Sequence, residues 1–235
     1  MADITPGLER LRRFLHDDPD MTISKVVDYV EKAAITEEDL LPFADFDHPV
    51  EDGYGRKLAV GEDHFEIMVM SWKPGDFSAV HDHGYTTWGA VQVFGNVMHH
   101  SFVNKDDVFQ LSSKEILPYG TIIKVNNPLI HQMGNVTTKP YMTLHIYGDN
   151  EYVGDVTTDS KIYELENNLI KETTGGAFFN LPDDKVYNIK HMGEIDYDTL
   201  IHQASILMQY YQRFDHDKAR DLSKHLMTRL SYCMT

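Results

Sequence analysis

The chain has 235 residues, of which 42% are hydrophobic and 25% are charged. This composition is typical of a globular protein, and it excludes collagen-like, coiled-coil and intrinsically disordered chains. The 37 acidic residues outnumber the 21 basic ones, and a net charge of −16 argues against nucleic acid and anionic membrane surfaces as partners. Apolar runs such as Phe65–Met70 are far shorter than the ~20 residues that a membrane span requires.

The chain contains a single cysteine, Cys233, so an intrachain disulfide cannot form. That absence favours a reducing compartment. The first residues include Glu9, Arg10 and Arg12 and contain no apolar stretch like that of a signal peptide. We therefore expect a cytoplasmic protein.

The first fifty residues are predicted to be helical. Leu8, Leu11 and Leu15 recur on one helical face, which indicates a helix with one buried side. Thr22 and Thr36 stand where N-caps are expected, since each precedes a stretch with helical spacing.

From about Tyr54 the pattern changes to short runs of β-forming residues separated by turn residues. The predicted strands are Phe65–Trp72, Ser78–His83, Thr87–Phe94, Thr121–Val125, Leu129–Gly134 and Tyr141–Tyr147, followed by further short strands between Glu151 and Tyr187. This spacing is typical of an antiparallel barrel or sandwich.

Helical spacing returns over Asp198–Met227, with a break predicted near Phe214–Asp217. No internal repeat, linker or change in composition divides the chain. We therefore predict one domain over residues 1–235, with a helical segment at 1–50, a β-barrel at 54–187 and a helical segment at 198–235. Nothing in the sequence indicates an oligomeric state.

The clearest chemical signal is His81-Asp82-His83. Residues two apart in a strand project to the same face, so both imidazoles could bind one metal ion. Asp82 is then expected to point away from the metal. A pair at this spacing also arises by chance in a chain with 13 histidines, so this pair alone does not establish a metal site.

Two further groups of residues match the spacing of the cupin motifs. The first motif is matched by Gly75, His81, His83, Trp88 and Gly95, and the second by Gly120, His131 and Asn135. The chain therefore resembles a cupin. This resemblance implies a mainly β fold, the double-stranded β-helix or jelly-roll barrel. In this chain the barrel is expected to have helical segments at both ends. The resemblance also implies that His131 is the third metal ligand.

Trp88 stands where many cupins have a glutamate ligand, which leaves three neutral histidine nitrogens as the expected metal ligands. Such a face leaves coordination positions open and adds no negative charge, so an anionic substrate such as a thiolate could balance the metal. That arrangement resembles the three-histidine dioxygenases. Three imidazoles also suit Ni, Cu, Zn or Co.

A further set of residues resembles cysteine dioxygenase. Thr143, His145 and Tyr147 match the Ser-x-His-x-Tyr relay of that family with threonine in place of serine. Tyr54 and Arg56 match its Tyr-x-Arg-x-Leu motif, about 25 residues before the first metal histidine. In the family the relay tyrosine points at substrate and O₂, and the arginine binds the substrate carboxylate.

The resemblance implies an Fe(II)-dependent thiol dioxygenase that adds both atoms of O₂ to sulfur, with L-cysteine as substrate and cysteine sulfinate as product. One alternative is a three-histidine dioxygenase for another thiol acid such as 3-mercaptopropionate. A second is a non-catalytic cupin that binds a small ligand or a metal. Trp88 also stands where animal members have the cysteine that is cross-linked to the relay tyrosine, so no thioether is expected.

The remaining aromatic and histidine residues are expected to be structural. Trp72 is predicted to lie in the core, whereas Trp88 could line the cavity or fill the core. His99 and His100 should point to opposite faces of a strand, as ordinary hairpin residues, and His64 should be solvated. No other histidine, His202 included, has a partner at ligand spacing.

Overall fold

The computed structural model describes residues 3–151 and 154–233. Within these residues the helices are α1 (Pro6–His16), α2 (Ile23–Ala33), α3 (Glu37–Leu40), α4 (Tyr197–Tyr211) and α5 (His216–Cys233). The strands are β1 (Gly55–Gly61), β2 (Phe65–Trp72), β3 (Trp88–Val93), β4 (Val97–Lys105), β5 (Val108–Leu117), β6 (Ile122–Val125), β7 (Ile130–Gly134), β8 (Tyr141–Gly148), β9 (Ser160–Glu164), β10 (Leu169–Thr173), β11 (Val186–His191) and β12 (Glu194–Ile195).

The predicted N-terminal helices are confirmed, and side chains fix where two of them begin. The Thr22 hydroxyl accepts a hydrogen bond from the Lys25 backbone nitrogen at 3.3 Å, so it caps α2. At α3, the Asp39 side chain accepts from the Thr36 backbone nitrogen at 3.1 Å and the Thr36 side chain accepts from the Asp39 backbone nitrogen, which forms a capping box. The caps satisfy backbone donors that would otherwise lack partners.

Two sheets face each other across the main core, and their strands are antiparallel except for the parallel pair of β12 and β5. One has the strand order β1-β2-β8-β3-β6, and the other has the order β12-β5-β4-β7. Strand β2 is buried at every position because its two faces contact different layers. Ile67 and Val69 lie in the core beneath α1 and α2, while Met68 and Met70 face the second sheet. This is the predicted mainly β barrel of the double-stranded β-helix type.

The strand predicted over Ser78–His83 is not regular. Only isolated bridges form on this stretch, at Phe77 and His81. Its backbone is nevertheless bonded on both sides: the nitrogens of His81 and His131 each donate to the other's carbonyl at 2.9 Å, and Tyr163 donates to Val80 at 2.8 Å. The segment thereby joins β7 to β9 at the edge of the third sheet, whose order is β11-β10-β9.

The C-terminal helices cover the outer face of the second sheet. Asp196 caps α4 by accepting hydrogen bonds from the backbone nitrogen of Thr199 at 2.9 Å and from its hydroxyl at 2.8 Å. Leu200 and Ala204 are buried against Phe102 of β4. The chain breaks between α4 and α5 close to the predicted point, and residues 234 and 235 lie outside the described residues. None of the described helices has the length and apolar character of a membrane span.

Candidate metal centre

Three histidines converge where the second and third sheets meet, and they face Tyr147 on β8 of the first sheet. His81 and His83 lie on the irregular segment that joins these sheets, and His131 lies on β7. One ring nitrogen from each lies within 4.8 Å of the others, and the Nε2 atoms of His83 and His131 are 3.1 Å apart. The backbone pairing of His81 with His131 holds these two side chains beside each other.

The hydrogen bonds of these rings suit a metal ligand set. His81 donates from Nδ1 to the carbonyl of Ala79 at 2.9 Å, so its Nε2 lone pair is left to bind a metal. His131 contacts another side chain through Nδ1, which leaves its Nε2 free as well. Among the residues that the structure describes, no other group of His, Cys, Asp and Glu side chains gathers three such atoms. The donor set therefore fits a divalent transition metal.

Burial keeps the three imidazoles neutral. It lowers the pKa of His81 to about 4, and burial together with the neighbouring histidines holds the pKa of His83 and of His131 well below the ordinary value. A neutral imidazole has a lone pair for a metal ion, whereas an imidazolium has none. The site is thus ready to bind metal at neutral pH.

Beside the histidines, the predicted relay residues form one chain of hydrogen bonds along β8. Thr143 Oγ1 lies 2.7 Å from Nε2 of His145, and Nδ1 of His145 lies 2.7 Å from the hydroxyl of Tyr147. Trp72 extends this chain, because its Nε1 donates to Thr143 Oγ1 at 2.9 Å. Trp72 is buried in the core as predicted, and it also begins the relay.

Trp72 determines which atom is the donor in each hydrogen bond of this chain. An indole N–H can only donate, so Thr143 accepts from Trp72. The one other partner of the Thr143 hydroxyl among the described residues is His145, which therefore receives the Thr143 proton on Nε2. His145 then carries its own proton on Nδ1 and donates to Tyr147. The Tyr147 hydroxyl is left with its proton free to donate.

Tyr54 and Arg56 line the same cavity as the histidines and Tyr147. The Tyr54 ring stacks between Trp72 and Phe178, with centroids 4.8 and 4.6 Å away, and it is almost fully buried. Arg56 is half-buried at the start of β1, and no carboxylate of a described residue lies within 4 Å of its guanidinium nitrogens. Burial lowers the pKa of His145 and raises the pKa of Tyr147, and the charge of Arg56 lowers both.

Of the two places expected for Trp88, the structure shows the core. Its side chain fills the core beneath the N-terminal helices and donates from Nε1 to Asn150 at 2.8 Å, so it does not line the cavity. Gly89, not Trp88, lies opposite Tyr147 in the sheet. A Cβ atom on residue 89 would lie 2.5 Å from the carbonyl oxygen of Ile146, so this position requires glycine.

The interpretation of His99 and His100 as ordinary hairpin residues is wrong. They do point to opposite faces of β4, but both are buried and both contact histidines. His99 Nε2 lies 3.0 Å from Nδ1 of His131, and His100 Nδ1 lies 3.1 Å from Nε2 of His202 on α4. Hydrophobic spacing gave no signal for these contacts, because cross-strand register decides which side chains meet.

Two carboxylates near the cavity have distinct surroundings. Asp82 points away from the metal site, as predicted: it accepts from the Lys161 backbone nitrogen at 2.8 Å and from the Tyr163 hydroxyl at 3.1 Å. Glu66, which sequence reasoning missed, lies opposite Tyr147 on β2 with its Oε2 buried. Burial and the negative charge of Asp155 raise the pKa of Glu66 to about 7. His64 is exposed, in agreement with its predicted place in a turn.

The fold and the three-histidine site define a metal-binding cupin with a tyrosine relay beside its metal centre. Residues 8–150 match the sequence model of the cysteine dioxygenase type I family. This match covers more than half of the chain, and the chain belongs to that family. It is accordingly a thiol dioxygenase of the non-haem iron class, acting on a small thiol and O₂.

Solved structures with similar folds each align with about half of the chain. A Thermus thermophilus protein is 15% identical, with 47% of this chain and 93% of that chain covered at a TM-score of 0.39. A Klebsiella pneumoniae protein with a double-stranded β-helix domain is 13% identical, with 51% and 92% covered at a TM-score of 0.38. Oxalate decarboxylase of Bacillus subtilis is 16% identical, with 48% and 30% covered at a TM-score of 0.38.

Proposed function

We propose that this enzyme uses Fe(II) to oxidise L-cysteine to cysteine sulfinate. The thiolate and one O₂ molecule combine so that both oxygen atoms join sulfur, and no other oxidant or reductant is consumed. The observation that carries this proposal is the position of Arg56. Its guanidinium lines the cavity of the histidine triad and of Tyr147, and no carboxylate of a described residue is within ion-pair distance of it.

Iron is the metal that this reaction requires, and His81, His83 and His131 are the residues that would hold it. Three nitrogen ligands on one face leave coordination positions open, as in the non-haem iron oxygenases. When bound, Fe(II) would supply a place for thiolate and O₂ to meet and the electrons that activate O₂. The three histidines stay neutral in this role, so an anionic thiolate is favoured over a neutral thiol at the site.

Arg56 would hold the carboxylate of the substrate. A planar guanidinium donates two parallel hydrogen bonds to a carboxylate, which fixes both the position and the orientation of the bound molecule. Tyr54 forms the adjacent wall, held between Trp72 and Phe178. With its carboxylate at Arg56, a short thiol acid would direct its sulfur towards the histidine triad.

Tyr147 would donate a hydrogen bond to the substrate or to oxygen during the reaction. Burial raises the pKa of Tyr147 well above the ordinary value, so the hydroxyl keeps its proton throughout the physiological range. His145 and Thr143 act through Tyr147, because their hydrogen bonds orient its hydroxyl. Such a preorganised donor stabilises negative charge as it develops.

The rest of the cavity wall would protect the reaction from water. Met70, Met133 and Ala177 line it, and each is buried. An apolar wall strengthens the electrostatic interactions of Arg56 and Tyr147 and limits side reactions with solvent. A cytoplasmic location, which supplies reduced cysteine, belongs to the same proposal.

Substrate turnover by Arg56→Ala tests the proposal. The enzyme is loaded with Fe(II) without oxygen, and O₂ uptake and sulfinate formation are measured with L-cysteine, 3-mercaptopropionate and cysteamine. The variant should lose about 10- to 100-fold in kcat/KM for L-cysteine, since a charge-assisted hydrogen bond contributes ~1.5–3 kcal/mol. Cysteamine has no carboxylate, so its turnover should be unchanged. Lys57→Ala, which removes an exposed cation from the same strand, should leave both substrates unaffected.

Three other outcomes of this experiment would each contradict one part of the proposal. An unchanged KM for L-cysteine in Arg56→Ala would show that Arg56 does not bind the carboxylate. Faster coupled turnover of 3-mercaptopropionate than of L-cysteine would make that thiol acid the substrate. If no thiol supports coupled O₂ uptake, the protein is a cupin that binds a metal or ligand without this reaction.

A further inference from the structure

A second chain of hydrogen bonds lies behind His131, on the side away from the substrate cavity. His99 on β4 is directly opposite Glu115 on β5, and β4 lies between β5 and β7, the strand that carries His131. His99 Nε2 lies 3.0 Å from His131 Nδ1, and His99 Nδ1 lies 2.9 Å from a carboxylate oxygen of Glu115. The His99 side chain is 6% exposed and that of Glu115 is 50% exposed. The chain therefore runs from the metal centre to the protein surface.

The protons in this second chain have one consistent arrangement. Nε2 of His131 faces the other two ligands, so its proton must be on Nδ1, from which it donates to Nε2 of His99. His99 must then carry its own proton on Nδ1 and donate to Glu115. A carboxylate can only accept, so Glu115 specifies the tautomer of both imidazoles.

The three ligands differ in what supports them. His81 donates to the carbonyl of Ala79, which is a neutral acceptor. Near the buried Nδ1 of His83, the described residues offer only the backbone of Leu129 and Asn126, which is also neutral. His131 alone is connected through a second imidazole to an ionised acid. Its Nε2 should be the strongest electron donor of the three, since acceptors on the far nitrogen raise the basicity of a ligating histidine.

We propose that His99 and Glu115 are positioning residues for the metal ion, acting through His131. They hold His131 in the tautomer that presents Nε2, and they give this ligand partial anionic character. The site lacks a carboxylate ligand, and Glu115 supplies part of that missing negative charge from the surface. This inference concerns metal binding, so it does not depend on which thiol the enzyme oxidises.

Metal affinity measured by competition with a chelator tests this inference. Co(II) serves as the probe ion, because its visible spectrum also reports the geometry and strength of the ligands. Glu115→Gln keeps the size of the side chain and an acceptor oxygen while it removes the charge. We expect Co(II) to bind about 10-fold more weakly, within the 10- to 100-fold range typical of such supporting residues, with a shifted spectrum. Glu194→Gln, which neutralises an exposed glutamate on the adjacent β12, should change neither affinity nor spectrum.

A double-mutant comparison separates this role from a general effect of surface charge. Because Glu115 acts through His99, adding Glu115→Gln to His99→Asn should cause no further loss of Co(II) affinity. Affinity in Glu115→Gln within twofold of wild type, with an unchanged Co(II) spectrum, would overturn the proposal. Equal losses from Glu115→Gln in both backgrounds would also overturn it. Since Glu115 is half exposed, its variant should fold even if His99→Asn does not.

Discussion

Two hydrogen-bonded chains flank the metal centre, and they differ in the group at their outer end. The chain along β8 begins at the indole of Trp72, which can only donate, so each proton points towards the cavity and ends at Tyr147. The chain behind His131 ends at the carboxylate of Glu115, which can only accept, so each proton points away from the metal. Both chains use an imidazole as the link, His145 in one and His99 in the other.

The difference shows how the same residue type performs two tasks. The outer partner of each histidine determines which ring nitrogen carries the proton. The other ring nitrogen then has the opposite hydrogen-bonding role. On one side the result is a hydroxyl whose proton is directed into the cavity. On the other side it is the proposed metal ligand His131, whose Nε2 is left without a proton. The outermost residue of each chain therefore matters as much as the histidine itself.

Loss of a metal ligand should have the largest effect, since both chains serve the metal centre. His83→Ala should weaken Co(II) or Fe(II) binding by at least about 100-fold, more than loss of a supporting residue does. Thiol-dependent O₂ uptake should fall in proportion to the bound metal. Metal content after dialysis checks this, with the exposed His64→Ala as the control. If His83→Ala still binds one metal ion per chain, His83 is not a metal ligand.

Removal of the donor at the end of the β8 chain should have the next largest effect. Tyr147→Phe deletes the hydroxyl and keeps the ring, and loss of one preorganised donor lowers kcat by about 10²- to 10³-fold. Metal affinity should be unchanged, which would separate this chain from the one behind His131. Steady-state kinetics with a metal assay measures both, and Tyr119→Phe serves as an exposed control. Equal kcat values in Tyr147→Phe and wild type would exclude the role.

Substitution of Thr143, in the middle of the β8 chain, should change the free energy of unfolding. Thr143→Val preserves shape but leaves Trp72 Nε1 and His145 Nε2 buried without their partner. Each unsatisfied group costs ~1–3 kcal/mol, so with two such groups the free energy of unfolding should fall by about 2–6 kcal/mol. Thr143→Ser keeps the hydroxyl and should stay within about 1 kcal/mol of wild type. Urea titration compares the two variants. A loss as large in Thr143→Ser would assign the effect to packing of the methyl group.

A smaller, pH-dependent effect is expected at Glu66, a buried acid beside Tyr147 that belongs to neither chain. Burial raises the pKa of Glu66 from 4.5 to about 7, so the folded state binds this proton more tightly than the unfolded state does. The stabilisation is fully present below pH ~4.5 and is lost as the pH rises through ~7. Between pH 4 and pH 8, Glu66→Gln should gain about 1–3 kcal/mol of stability relative to wild type.

Unfolding free energies of Glu66→Gln and wild type at both pH values measure this difference. Other titrating groups are common to the two proteins, so their contributions cancel. Glu194→Gln, an exposed substitution, should show no such pH dependence. A constant difference between the curves of Glu66→Gln and wild type would mean that Glu66 ionises normally in the folded protein.

The strands with the strongest patterns could be predicted from the sequence. β2 matches its predicted bounds because it is buried on both faces and is mostly apolar apart from Glu66 and Ser71, with turn residues on either side. The bounds of β4 and β5 were not predicted, although His99 and His100 were expected in a hairpin, since these strands carry many polar residues. Asp106 and Asp107 form the turn between these two strands, and both have positive φ. The glycine that usually marks such a turn is absent from these two positions.

Motif spacing predicted which residues gather at the site, whereas cross-strand register determines which other residues contact them. The three metal histidines and the relay were identifiable because they lie at fixed offsets along the chain. The partner of His131 was not, because β4 meets β7 only after the sheet has formed. A one-residue difference in register likewise places Gly89, not Trp88, opposite Tyr147. The organisation of residues 1–235 as a single domain stays a prediction.

Isotope-labelled dioxygen shows whether both oxygen atoms of the product come from O₂. The Fe(II)-loaded enzyme is supplied with L-cysteine and labelled O₂ in unlabelled water, and the product is analysed by mass spectrometry. We expect cysteine sulfinate with the label in both sulfinate oxygens and one O₂ consumed for each product molecule. A product with one oxygen from water, or O₂ consumption without sulfinate, would contradict the assignment of this site to thiol dioxygenation.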